Sequence, residues 1–172
     1  MLVLALLLAA SPRPGDAALS VRLETAYLQP AVDAARRGGG AGLSLAYRLT
    51  DQIAVVGGAS ASLLWSPAGA GGAQKAQPLT MGSAGLEGLI DATPIAPFLE
   101  LCVVRLLPEN AAGYSLAART SVGADWLLSA AFALGLAVRT LTPLDGPGGV
   151  NAPGLEVALR FTWTPAAHRR PP

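Results

Sequence analysis

Apolar and polar residues alternate along most of this chain, and the C-terminal piece has the plainest pattern. Leu155, Val157, Leu159, Phe161 and Trp163 are separated by Glu156, Ala158, Arg160 and Thr162. Successive side chains of a strand point to opposite faces, so one face here is wholly apolar and the other carries two charges. Period-2 alternation bounded by Gly, Pro, Asp and Asn clusters predicts eight strands, at about 19–29, 41–50, 53–65, 79–90, 97–107, 114–126, 130–141 and 155–164. Leu127 to Val138 suits a helix by composition, but Gly135 and the alternating Phe132, Leu134, Leu136 and Val138 favour a strand.

The connections alternate in length. Pro30 to Gly40, Ser66 to Pro78 and Thr142 to Gly154 are the longer ones, and Pro108 to Gly113 at the same end is no longer than Asp91 to Ala96. Thr50-Asp51-Gln52, Asp91 to Ala96 and the turn near Leu127 to Ser129 are shorter. In an up-and-down sheet this puts long loops at one end and short turns at the other, with the third loop only modestly long. Gly38-Gly39-Gly40 follows two arginines but lacks the Lys-Ser/Thr of a phosphate loop, and is expected to be a flexible loop.

In this frame the charges share one face. Arg22 and Glu24 oppose Val21, Leu23, Thr25 and Tyr27, and Arg48 opposes Leu43, Leu45, Tyr47 and Leu49. Glu87, Glu100, Arg119, Asp125, Arg139, Glu156 and Arg160 likewise oppose apolar rows in later strands. The polar face thus carries five arginines and five carboxylates, interspersed mostly with Gly, Ala, Ser and Thr. Arg105 shares a face with the leucines and is expected near a rim, where its long stem can snorkel to water.

Composition narrows the setting. Hydrophobic residues make up 52% and charged residues 13% of 172 residues, against about 25% charged in soluble domains. After the first dozen positions no apolar run approaches the ~20 residues of a spanning helix. Residues 1–17 read as a secretory signal, from the apolar stretch Leu2 to Ala10 and the small residues around Gly15-Asp16-Ala17. No Lys or Arg precedes that stretch, so an N-terminal strand or short buried helix stays open, as does cleavage after Ala10. Residues 18–164 form one domain, and the Pro/Arg-rich 165–172 read as a disordered tail. The net charge of +1 gives no reason to expect nucleic acid.

Two barrels use this pattern. A soluble one turns the leucines inward, as in a lipocalin-like carrier of an apolar ligand; a membrane one turns them to lipid and pairs the charges inside. An eight-stranded barrel is just wide enough for side chains to fill, and small residues among the charges leave room for arginines. The nine aromatics favour the membrane form. Tyr27, Trp65 and Tyr114 fall at the long-loop end; Tyr47, Phe98, Trp126, Phe132, Phe161 and Trp163 fall at the short-turn end, and all but Phe98 share the apolar face. Rings flanking an aliphatic band at both interfaces are the girdles of a transmembrane barrel, where long loops and short turns also segregate.

Over about residues 18–164 the chain resembles the small outer-membrane β-barrel proteins of Gram-negative bacteria, the OmpA/OmpX-like group. The sharpest match is the group's C-terminal assembly signal, at Glu156, Ala158, Phe161 and Trp163. Ala158 stands where the group usually has Gly, and nine residues follow Trp163 where the group commonly ends on its aromatic. The resemblance implies an all-β, eight-stranded antiparallel up-and-down transmembrane barrel with a packed polar lumen. It also implies recognition by the barrel-assembly machinery, outer-membrane lipid as surroundings, and a monomer.

Candidate chemistry is sparse. His168 is the single histidine and sits in the tail, which leaves Ser-His-Asp catalysis and histidine metal clusters without support. Cys102, the lone cysteine, shares the inward face with Glu100 as a packing residue. No cofactor is expected. Arg36, Arg37 and Lys75, in predicted outer loops, are in reach of lipopolysaccharide phosphates, the alternative being plain solvated charges. Arg169 and Arg170 would face the periplasm. The expected role is structural or surface contact without catalysis, with a narrow channel or a soluble carrier as alternatives and a lipid-modifying enzyme as a distant one.

Overall fold

A computed structural model describes residues 19–29, 37–65, 76–90, 94–107, 115–129, 131–145 and 154–165. The predicted signal segment, the loop residues Arg36 and Lys75, Tyr114, and the tail with His168, Arg169 and Arg170 lie outside the described residues. Eight strands follow one another: β1 Leu19–Gln29, β2 Arg37–Arg48, β3 Ile53–Trp65, β4 Ala76–Leu89, β5 Ile95–Leu107, β6 Leu116–Leu127, β7 Phe132–Pro143 and β8 Gly154–Trp163. Each pairs antiparallel with the next, and β1 pairs with β8, closing the barrel.

Strand boundaries differ from the expectation mainly at the long-loop end. β2 begins at Arg37 and β4 at Ala76, so Gly38-Gly39-Gly40 is strand and not flexible loop. The glycines there meet a packing need. A Cβ on inward-facing Gly40 would lie 2.1 Å from Ser62 Oγ on the neighbouring strand, closer than any real contact. The third connection is shorter than read from the sequence, and β7 runs to Pro143.

Two of the short turns use local side chains. Thr50 Oγ1 accepts from the Gln52 and Ile53 N–H groups at 3.2 and 3.0 Å. Ser129 Oγ does the same for Ala131 and Phe132, both at 3.2 Å. A hydroxyl that takes up these donors fixes the chain reversal. That is why Thr and Ser, and no glycine, suffice at the two positions.

The wall is inverted relative to a water-soluble barrel. Leu23, Leu43, Leu101, Leu136 and Leu159 face outward, each about half exposed (51–57%). Arg22, Glu87, Glu100, Arg119, Arg139, Glu156 and Arg160 face inward and are buried. The soluble-carrier geometry, with these leucines lining an inner pocket, is therefore not the one the chain adopts. Tyr27, Tyr47, Trp65, Trp126, Phe132, Phe161 and Trp163 are all on the outer face. Phe132 and Phe161 stack there with centroids 5.6 Å apart. Arg105 is also outward, two residues from the long-loop end of β5.

Candidate functional site: the charged lumen

Closure of the barrel brings the polar face of every strand onto one axis. Nearest the short turns, Glu87 of β4 sits between two arginines. Arg22 of β1 donates both terminal nitrogens to it, at 2.9 and 2.5 Å, and Arg160 of β8 donates a third bond at 2.9 Å. Arg160 also reaches Asp125 of β6 through Nε at 3.1 Å and Nη2 at 2.6 Å. Its guanidinium carbon lies 3.7 Å from the centroid of Phe98, a cation–π contact strengthened by the burial of both groups. Phe98 is the one aromatic the alternation put inside, and this is its role.

Small residues make the space. Gly123 is the cross-strand partner of Phe98, and a Cβ there would meet the Phe98 ring at 2.5 Å. Gly135 is the partner of Asp125, whose carboxylate lies where its Cβ would be.

A second cluster lies beside the first. Arg139 of β7 pairs with Glu156 of β8 and Glu24 of β1, both at 2.7 Å. Arg119 of β6 donates to Glu100 of β5 at 2.9 Å, and Ser121 Oγ adds a bond to the same oxygen at 3.2 Å. Cys102 donates its thiol to Glu100 at 3.4 Å and is buried, as the packing role requires. Glu87 and Glu100 are directly opposed across β4 and β5, a pairing that costs energy unless each finds a cation. Each does, on a different side, which is why there are two clusters.

Nine of the ten charged residues singled out from the sequence are joined in these ion pairs. Arg48, the tenth, lines a polar cavity of about 60 Å³ at the short-turn end, with Ser20 and Thr162. A second cavity of about 20 Å³ lies among Glu24, Arg119, Arg139 and Glu156. A water needs about 10–15 Å³ of such volume, so each holds at most a few waters.

The long-loop end of the lumen is apolar, a feature missed in the sequence. Leu28, Leu64, Leu79, Val104, Leu106 and Leu141 point inward and are fully buried together. The expectation of Gly, Ala, Ser and Thr between the charges holds for the short-turn half and middle only. The signal was present: Leu28 and Leu141 stand at inward positions in register with Arg22 and Arg139. Leucine next to a predicted loop reads equally well as a rim residue, so alternation alone does not reveal the cap.

At the rim, Asp145 ties β6 to the end of β7. Its Oδ1 accepts the Ser115 and Leu116 N–H groups at 2.9 and 2.8 Å, and Oδ2 accepts the Ser115 hydroxyl. The Ser115 hydroxyl first, then the Leu116 N–H, hold this carboxyl below its ordinary value. Among the described residues no three His, Cys, Asp or Glu side chains gather in a metal-binding arrangement.

No protein family and no curated protein matches the chain by sequence. Solved structures do match by shape. The Neisserial surface protein A has a TM-score of 0.61 at 14% identity, with 86% of this chain and 97% of that one covered. A de novo designed transmembrane β-barrel gives 0.57 at 12% identity, covering 84% and 92%. The N-terminal β-barrel domain of OprF from Pseudomonas aeruginosa gives 0.50 at 15% identity, covering 84% and 97%. The chain has the fold of the small eight-stranded outer-membrane β-barrels.

Proposed function

We propose that this chain is an integral outer-membrane protein whose barrel is a closed, lipid-embedded scaffold for its long loops, with a structural or surface-contact role and no catalysis. The observation that carries the reading is radial: aliphatic side chains cover the outside and ten charged ones lie within. In water this arrangement would leave the apolar surface unprotected, whereas a bilayer covers it. Export through residues 1–17, insertion by the barrel-assembly machinery reading Glu156, Ala158, Phe161 and Trp163, and a monomeric state belong to the same reading. Phe161 and Trp163 are presented on the outer face, where a partner in the membrane plane can meet them.

Support for a scaffold over a channel comes from the plug. The described part of the lumen is crossed by ion pairs and then by the leucine cap. Support for the absence of catalysis is the mutual engagement of the charged groups, which leaves the carboxylates committed to arginines.

Cell fractionation with surface proteolysis tests the proposal. The expected result is protein in the outer-membrane fraction, heat-dependent gel migration, and cleavage confined to the long connections. A soluble periplasmic protein with no detergent dependence would overturn it. In planar bilayers the purified barrel is expected not to conduct, and steady single-channel currents would replace the scaffold by the narrow channel.

A further inference from the structure

Polar and apolar side chains divide the lumen by height. The cavity of about 60 Å³ is lined by Ser129 of the β6–β7 turn and by Thr164, so it reaches the short-turn mouth. Arg22 and Thr162 line it too, as direct partners across β1 and β8. Both are more than nine-tenths buried, and Arg22 Nε and Thr162 Oγ1 make no hydrogen bond among the described residues. One inward position further along β1, Glu24 lines the second cavity of about 20 Å³, with Arg119, Arg139 and Glu156. The same condition holds there, for Arg119 Nε, Arg139 Nε and Glu156 Oε2.

A buried donor or acceptor left unmet carries its full desolvation cost, so these atoms ask for a ligand. The second set decides its class. Two N–H donors need an acceptor, while the carboxylate oxygen needs a donor. A cation would face the N–H groups, and an anion would face Glu156. Water serves both, and a cavity of this size has room for one.

The layer toward the long loops is of different make. Leu28 of β1, Leu64 of β3, Leu79 of β4, Leu106 of β5 and Leu141 of β7 are fully buried in one cluster with Ala117 of β6. The two remaining strands contribute glycines. A Cβ on Gly38 of β2 would lie 2.6 Å from Leu64 Cδ2, and Gly154 of β8 is the direct partner of Leu141. All eight strands thus meet in this layer, and none of these side chains carries a polar atom.

We propose that the lumen is a blind, hydrated vestibule: water enters from the short-turn end and binds at both cavities, and the leucine layer, not the ion pairs, is the seal against water and ions. The proposal rests on the scaffold reading above and names the part of the barrel that keeps it closed. Groups in an ion pair can trade a partner for water. A ring of leucines offers an ion nothing in place of its hydration shell.

The test reconstitutes the full chain and its variants in planar bilayers, with heat-dependent gel migration to confirm that each barrel is folded. Leu64→Ser/Leu141→Ser cuts the seal on opposite walls, since β3 and β7 stand four strands apart in a ring of eight. This variant is expected to gain steady single-channel steps. Wild type and Glu87→Gln, which loosens the ion pairs, should stay silent. Steps from Glu87→Gln, or silence of the folded leucine variant, would overturn the seal and leave the scaffold reading intact. Steps from wild type would overturn both. A second measurement needs no variant and decides alone if the leucine variant does not fold. In water-edited solid-state NMR of wild type in bilayers, the methyl groups of Thr162 and Met81, which line the two cavities, should gain signal from water before those of Leu64 and Leu141. Equal build-up at the two sets would overturn the vestibule and its seal together.

Discussion

Individual residues in the lumen are chosen in pairs across the sheet. Gly123 is small because Phe98 lies over it, and Phe98 is there because Arg160 stacks on its face. Gly123→Val should therefore displace the ring and destabilise the barrel by about 1–3 kcal/mol, the range of overpacked cores, as measured by urea titration of the folded gel species. Glu87 is the more sensitive position because two buried arginines depend on it. Glu87→Gln is expected to cost about 3–5 kcal/mol by leaving buried positive charge uncompensated. In the same titration an effect below about 1 kcal/mol, the scale of a solvent-exposed pair, would mean that water reaches the cluster. Residue type was legible at these sites, since every one of the ten charges was placed on the inward face from alternation. The pairing of Phe98 with a cation was not, because nothing in a period-2 pattern says what lies across a lumen.

At the scale of elements, the strands were legible and their long-loop ends were not. β8 matches its expectation to within a residue, because Gly154 and the proline-containing Thr164-Pro165 bound an unbroken alternation. β2 starts earlier than the alternation predicts, because glycines next to arginines look like a loop until Ser62 is known to stand opposite Gly40. The β6–β7 pair ends in the Asp145 clasp, and its behaviour with pH follows from the depressed carboxyl. A group whose folded value is lowered adds stability that is present above its ordinary value of 3.8 and is lost as pH falls through the lower folded value. Amide exchange at Leu116, corrected for intrinsic rate, should accelerate in that acid range. Asp145→Asn should speed it at neutral pH and remove the acid step. An unchanged acid step in the variant would assign the step to another group.

The whole molecule is defined by which side of the wall faces lipid. Leu159 lies mid-strand in β8 and is half exposed on the outer face. Leu159→Arg is expected to cost about 2–4 kcal/mol in a bilayer, against about 0–1 for Leu107→Arg near the interface. Equal and negligible costs in vesicle-refolding titrations would mean that the outer face meets water.

The sequence by itself determined the eight strands, the side on which their side chains lie, and the place of the rings, outward except for Phe98. These follow from local alternation, and a one-residue slip would have inverted every face. Only the closed barrel decided the partners. Glu24 and Arg160 are direct neighbours across β1 and β8, yet Glu24 turns to Arg139 and Arg160 crosses the lumen to Glu87 and Asp125. Contacts across an interior depend on where all eight strands stand relative to one another. No short stretch of sequence carries that information, and the leucine cap was hidden for the same reason.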